Sequence, residues 1–198
     1  SPAMVAAKSM EKKSTDQLEE SNASKHLRST AFEMVLFGTG VLKGPFAIDK
    51  EYPNWDENGE YNPTFKTVPQ INNVSIWNFY PDPDSRSMEE ATYVVERHKM
   101  SRSELRGLKR RPYFRDNVIE EAIQEGENYT KKHWEDDLAD YSPAYSIERF
   151  EVLEYWGVLD AKMARAIQLD IPRNTSDLEQ VQINAWICGN QILRVVLN

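Results

Sequence analysis

Alternation of apolar and polar residues in the C-terminal part of the chain most constrains what it can fold into. Residues 147–158 alternate between apolar and polar side chains well enough to indicate a long strand, and a period of two returns in 181–187 and 191–197. A period of two places successive side chains on opposite faces of a β-strand. The Gly189-Asn190 pair between the last two runs is typical of a hairpin turn. We therefore predict an antiparallel sheet in which segments 151–157 and 184–189 are neighbours.

The N-terminal part of the chain has the composition of a helix instead. Residues 8–25 are polar, good helix formers without an apolar stripe, so we expect an exposed helical lead-in over residues 1–26. Beyond it, Leu27, Ala31, Met34 and Val35 recur at helical spacing, which predicts a buried helix face ending at Gly38. Residues 27–198 are then interpreted as a single domain.

The middle of the chain alternates between strand, turn and helix signals. The Asn58-Gly59 pair suits a hairpin tip, and the Ser101/Glu104 spacing is that of a helix-capping box. The predicted strands are 41–48, 64–68, 73–79 and 92–97, and the predicted short helices are 85–90, 102–108, 117–126 and 161–169. Asp116 is expected to cap the third of these helices, and residues 127–146 to form a solvated loop. The predicted fold class is α+β, with a mainly antiparallel sheet, a long N-terminal helix and several short helices.

Composition restricts the classes of function. The 198 residues are 40% hydrophobic, which is enough for a core, and 24 Lys plus Arg against 32 Asp plus Glu give a net charge of -8. That balance argues against a protein whose main task is to bind nucleic acid through its phosphates. A single cysteine, Cys188, permits no internal disulfide and favours a reducing cytoplasm. No segment has the length and apolarity of a membrane span, and the start and end of the chain lead us to expect a piece of a longer protein.

Candidate catalytic and metal-binding residues are few. His26, His98 and His133 all lie in polar surroundings and are interpreted as surface side chains, while Cys188 is interpreted as a partly buried strand thiol. We therefore predict no catalytic residue, no enzyme activity and no cofactor. Two acidic groups could hold a hard cation, but neither has a recognised ligand spacing, so no metal site is predicted and a metal-dependent hydrolase stays a distant alternative. These groups are Asp82 with Asp84, and Glu135, Asp136, Asp137 and Asp140.

A basic segment is the exception to the acidic balance. It comprises Arg97, Lys99, Arg102, Arg106, Lys109, Arg110, Arg111 and Arg115. Such a cluster could contact phosphates, or it could dock the acidic 127–140 segment of a neighbouring copy. On electrostatic grounds the sequence favours docking between subunits over DNA binding.

Several segments, taken in order, resemble portal proteins of tailed bacteriophages, in particular the podovirus-type group. They read FEMVLFGTGV (32–41), VSIWNFYPDP (74–83), ATYVVER (91–97), MSRSEL (100–105), VLEYWG (152–157) and GNQILR (189–194). Together they extend over about residues 27–198. Within them, the residues expected to act as structural anchors are Trp77, Phe79, Tyr80, Pro81, Asp82, Trp156 and Trp186.

The resemblance implies a non-catalytic subunit of a ring, typically of twelve copies, at one vertex of the capsid. Through such a ring terminase drives double-stranded DNA, and the tail joins the head there. The implied partners are other copies of the chain, terminase, tail or adaptor proteins, and capsid or scaffolding proteins, without a membrane. The implied location is the virion, with the host cytoplasm during assembly, and this chain would supply mainly the wing region. The alternative is a nucleic-acid-binding module that uses the basic segment at 97–115.

Overall fold

The computed structural model describes residues 2–130 and 148–198 and confirms the predicted α+β class. The chain divides into two compact units, Ser1–Trp77 and Asn78–Asn198. The boundary expected after residue 26 falls inside a helix, so the lead-in and the following segment belong to one unit. Of the loop predicted over residues 127–146, the part from residue 131 onward lies outside the described residues.

The first unit consists of two helices and a β-hairpin. Its elements are α1 (Pro2–Glu20), α2 (Ala23–Phe37), β1 (Val41–Tyr52) and β2 (Thr64–Val74). Helix α1 has no buried residue, whereas Ser21 and Ala23, which also lie in the predicted lead-in, are buried. A left-handed residue at Asn22 (φ 52°) separates the helices, and Gly38 (φ 76°) ends α2 as predicted, with its N–H donating to the Met34 carbonyl.

Strands β1 and β2 form a long antiparallel hairpin with the predicted tip. Gly59 has φ 79°, and a β-bridge between Trp55 and Tyr61 holds the ends of the loop. The two strands predicted at 64–68 and 73–79 are one strand as far as Val74, followed by a 3-10 turn at Ile76–Asn78. Pro69 does not interrupt β2, because each strand of a two-stranded ribbon has one free edge where a missing N–H is tolerated.

The predicted buried face of α2 is wrong: it points away from the hairpin. Leu27 is 50% exposed and Val35 is 80% exposed. The opposite, polar side of the helix contacts the hairpin, where the Asn73 backbone N–H donates to His26 Nδ1 (3.2 Å) and the Asn73 amide donates to Thr30 Oγ1 (3.2 Å). Helical spacing identifies an apolar face, but not what covers it.

The second unit is built on a five-stranded antiparallel sheet. Its strands, in spatial order, are β3 (Phe79–Pro81), β4 (Tyr93–Met100), β5 (Phe150–Asp160), β6 (Gln180–Cys188) and β7 (Gln191–Leu197). The predicted pairing of β5 with β6 and the β6–β7 hairpin are confirmed. Its helices are α3 (Arg102–Gly107), α4 (Asp116–Glu125) and α5 (Ala161–Ala166), with a 3-10 turn at Leu108–Arg110.

Helices cover both faces of this sheet. The predicted capping box opens α3, since Ser101 Oγ accepts from the Glu104 N–H (3.3 Å) and Glu104 Oε2 accepts from the Ser101 N–H (2.7 Å). Helices α3 and α4 contribute to the main core, whose buried members are Leu105, Leu108, Ile119, Ala122, Ile123, Phe150, Val152, Trp186, Cys188 and Leu193. On the other face, Ile183, Ala185 and Val195 pack with half-buried residues that include Ile167 and Leu169.

Two local predictions in this unit are corrected. Asp116 is the first residue of α4, and the capping position is Arg115, which makes no side-chain cap. Residues 85–90 form turns instead of a helix, because the chain folds back onto Asp82: the Ser85 N–H and hydroxyl both donate to the Asp82 carbonyl. Among the described residues, no helix combines the length and apolarity needed to cross a bilayer.

Candidate functional site

A row of polar and charged side chains crosses the five-stranded sheet at the edge of the main core. Strand register places Glu96 opposite Glu154, Glu154 opposite Trp186, and Trp186 opposite Arg194. Cross-strand partners project from the same face of a sheet. Four strands therefore contribute one side chain each to a single row.

His98 joins this row because it lies two residues after Glu96 on β4. Its Nε2 is 2.9 Å from Glu154 Oε2, and its Nδ1 is 3.8 Å from Glu96 Oε1. The imidazole stacks on the Trp186 indole, with centroids 4.8 Å apart and planes 5° apart. His98 is therefore a half-buried member of a cluster, and its interpretation as a surface side chain was wrong.

The centre of the row is buried and contains unsatisfied polar atoms. Glu154 is 3% exposed and accepts from the Asn184 amide nitrogen (3.2 Å), and Asn184 is 2% exposed. Desolvation lowers the pKa of Arg194, and the nearby Glu154 carboxylate opposes that shift. Asn184 Oδ1, Trp186 Nε1 and Arg194 Nε are buried and have no hydrogen-bond partner in the structure. Two carboxylates, an imidazole and a spare amide oxygen can together hold a proton or a cation.

The basic segment is largely paired with carboxylates of the same chain. Arg102 makes a two-point contact with Glu148, both distances being 2.7 Å, and this hydrogen bonding raises the pKa of Arg102. Arg106 and Lys109 both contact Glu120, at 3.3 and 2.6 Å, and they hold the pKa of that carboxyl below its ordinary value. These pairs neutralise much of the charge that a phosphate would meet.

Of the remaining basic residues, three contact other groups of the chain and the other two are exposed arginines. Arg97 is buried, lies 3.1 Å from Glu151 and contacts the Tyr129 hydroxyl, while Lys99 lies over the same tyrosine ring at 4.2 Å. Arg115 donates to the Ile167 carbonyl (3.3 Å). Arg110 and Arg111 are exposed and form no ion pair with any residue in the described ranges. Within residues 2–130 and 148–198, the basic segment thus presents two adjacent exposed arginines, not a continuous patch.

The predicted structural anchors differ in burial. Trp186 and Asp82 are buried, Phe79 and Trp156 are half-buried, and Trp77, Tyr80 and Pro81 are exposed. In the first unit, Trp77 packs edge-to-face against Phe37, with ring centroids 5.6 Å apart.

Asp82 organises the turn that follows β3. Its carboxylate accepts from the Asp84 N–H (3.1 Å), the Thr92 N–H (3.1 Å) and the Thr92 hydroxyl (2.6 Å). These hydrogen bonds, the Thr92 hydroxyl first, lower the pKa of Asp82. Asp84 is exposed and contributes its backbone only, so the pair fits the structural role that the sequence favoured.

The other candidate residues contribute less chemistry. Cys188 is buried, and desolvation raises the pKa of its thiol to about 11, which makes it a poor nucleophile near neutral pH. His26 is half-buried and accepts a backbone hydrogen bond in the first unit. His133, Glu135, Asp136, Asp137 and Asp140 lie outside the described residues.

The sequence did not identify Glu96, Glu154, Asn184 or Arg194 as members of a site. The available signal was Glu96-x-His98, two ionisable residues on one face of a predicted strand. Glu154 joins them only through the β4–β5 register, which alternation alone does not determine.

Comparison with known proteins does not identify a family or a function for this chain. No protein-family model matches the chain, and no curated protein matches it. The functional argument therefore depends on the residues and on the surfaces they form.

Proposed function

We propose that this chain is a structural subunit of a phage portal ring, part of the channel through which DNA enters and leaves the capsid. The ring would support terminase-driven packaging and the joining of head and tail. Catalysis by this chain is not part of the proposal. The observation that carries it is the apolar face of α2, which is directed away from its own unit. The ordered sequence resemblance to portal proteins supplies the class of assembly.

The apolar face of α2 is extensive for a surface helix. Its exposed large side chains are Leu27, Phe32, Met34, Val35 and Leu36, each between 50% and 80% exposed. Monomeric proteins rarely expose contiguous apolar surface on this scale, and such surfaces mark interaction sites. Leu27, Ala31, Met34 and Val35 recur at helical spacing, so they share one side of α2.

The first unit also has little core of its own. Within residues 2–77, the buried apolar side chains are those of Ala23, Val68 and Val74. A two-stranded hairpin is marginally stable unless further apolar surface packs against it. We therefore expect this unit to gain stability from contact with another subunit, as neighbouring copies in a ring supply.

The alternative function, nucleic-acid binding by the basic segment, has weaker support. Its one favourable observation is the exposed pair Arg110 and Arg111. Arg102, Arg106 and Lys109 are already paired with carboxylates, and the chain carries a net charge of -8. A salt-dependent DNA mobility shift that is lost on charge reversal of Arg106, Arg110 and Arg111 would favour this alternative.

Sedimentation velocity of the full-length protein tests the proposed contact. The double variant Phe32→Glu/Val35→Glu places two charges on the apolar face and should shift the protein from oligomer toward monomer. Ser9→Glu/Thr15→Glu changes the net charge equally at exposed polar positions of α1, and should sediment like the wild type. Equal sedimentation of the two double variants would show that the α2 face is not part of the interface.

A further inference from the structure

We propose that Glu96, His98 and Glu154 form a binding site for a divalent transition-metal cation. The site lies entirely in the second unit and does not depend on ring formation. One ligand atom from each residue lies within 4.8 Å of the other two. Glu154 is buried, whereas His98 and Glu96 are half-buried, so an ion has access from solvent.

The sheet register places two carboxylates side by side at this position. Glu96 and Glu154 are direct cross-strand partners, and like charges placed opposite each other are destabilising. Arg194 offsets part of the charge on Glu154 from the β7 side. A bound dication would relieve the repulsion between the two carboxylates.

Asn184 supplies independent evidence for a missing ligand. It is 2% exposed, its amide nitrogen is 3.2 Å from Glu154 Oε1, and its Oδ1 is buried without a partner. A buried carbonyl oxygen without a partner is costly. Its amide nitrogen also donates to the Tyr155 carbonyl (3.4 Å), so reversing the amide would give up two hydrogen bonds. The reversed amide would place its oxygen beside the Glu154 carboxylate, an arrangement that requires a cation between them.

The donor set selects the type of ion. One imidazole with carboxylate and amide oxygens suits Zn²⁺ or Mn²⁺, whereas Mg²⁺ and Ca²⁺ favour sets made only of oxygen atoms. Zinc bonds of roughly 2.0–2.2 Å require the three ligand atoms to move closer together, which side-chain rotation of the half-buried Glu96 allows. His98 Nε2 is already beside Glu154 Oε2 and is the expected ligand nitrogen.

Zinc titration of the metal-free protein by isothermal calorimetry, with elemental analysis after dialysis, tests the site. We expect one Zn²⁺ per chain, with weaker binding of Mg²⁺. Glu154→Gln and His98→Gln should each lower the zinc affinity at least about tenfold. Asn184→Ala removes the amide beside Glu154, and we expect a loss in the range of about 10–100-fold. Zinc should also change the fluorescence of Trp186, on which His98 stacks.

Two matched variants separate this site from incidental binding. Glu89→Gln removes one exposed carboxylate, and His26→Gln removes a histidine of the first unit; both should leave the zinc affinity unchanged. Far-ultraviolet circular dichroism verifies that each variant is folded. If Glu154→Gln does not fold, Glu96→Gln replaces it as the site variant, because Glu96 is only half-buried. Absence of stoichiometric zinc in the wild type, or equal affinity in wild type and the folded site variants, would overturn the proposal.

Discussion

Cys188 shows how burial on a strand sets the chemistry of a single side chain. Its pKa rises from 9.0 to about 11, chiefly through desolvation, so the native thiol stays protonated at pH 8. A pKa that is about two units higher lowers the thiolate fraction of the native protein by roughly 100-fold relative to the unfolded chain. We predict that a thiol-specific reagent at pH 8 modifies the native protein at least tenfold more slowly than the protein in concentrated urea.

The same shift predicts a dependence of stability on pH. Because the folded-state pKa is raised, the contribution is fully present below pH 9 and is lost as pH rises through about 11. Cys188→Ala should therefore flatten the fall in unfolding free energy over that interval. Equal modification rates in the native and unfolded protein would contradict the assignment of Cys188 as a buried thiol.

At the scale of elements, the capping box of α3 is the clearest case in which a local signal determines a boundary. Ser101→Ala removes the acceptor for the Glu104 N–H and should cost about 1 kcal/mol of unfolding free energy. Ser9→Ala, at an exposed helical position of α1, should cost distinctly less. Urea denaturation of the two variants measures the difference, and equal losses would show that the box does not stabilise the helix.

Sequence predicted most elements because their signals are local. The α3 capping box, Gly38 as a helix end and the Asn58-Gly59 tip depend on a few neighbouring residues, and each was confirmed. The buried face predicted for α2 was wrong, because periodicity does not reveal which side of a helix meets the hairpin. The Glu96–His98–Glu154 cluster was missed for a related reason: it depends on the register between two strands.

At the scale of the whole molecule, the two units differ in how completely they bury their apolar residues. The second unit has a continuous core around Phe150 and Leu193, whereas the first has three buried apolar residues and an exposed apolar helix face. This contrast is what we expect of a self-sufficient α+β body joined to a segment that is completed by assembly. In the proposed portal ring, a net charge of -8 would suit the passage of DNA, because extensive phosphate contacts would impede sliding.

Electron microscopy of the purified full-length protein tests the proposed ring most directly. The account predicts closed rings with a central channel, which become scarce in the Phe32→Glu/Val35→Glu variant and persist in the Ser9→Glu/Thr15→Glu variant. A monodisperse, folded protein that forms no ring across the micromolar range would contradict it.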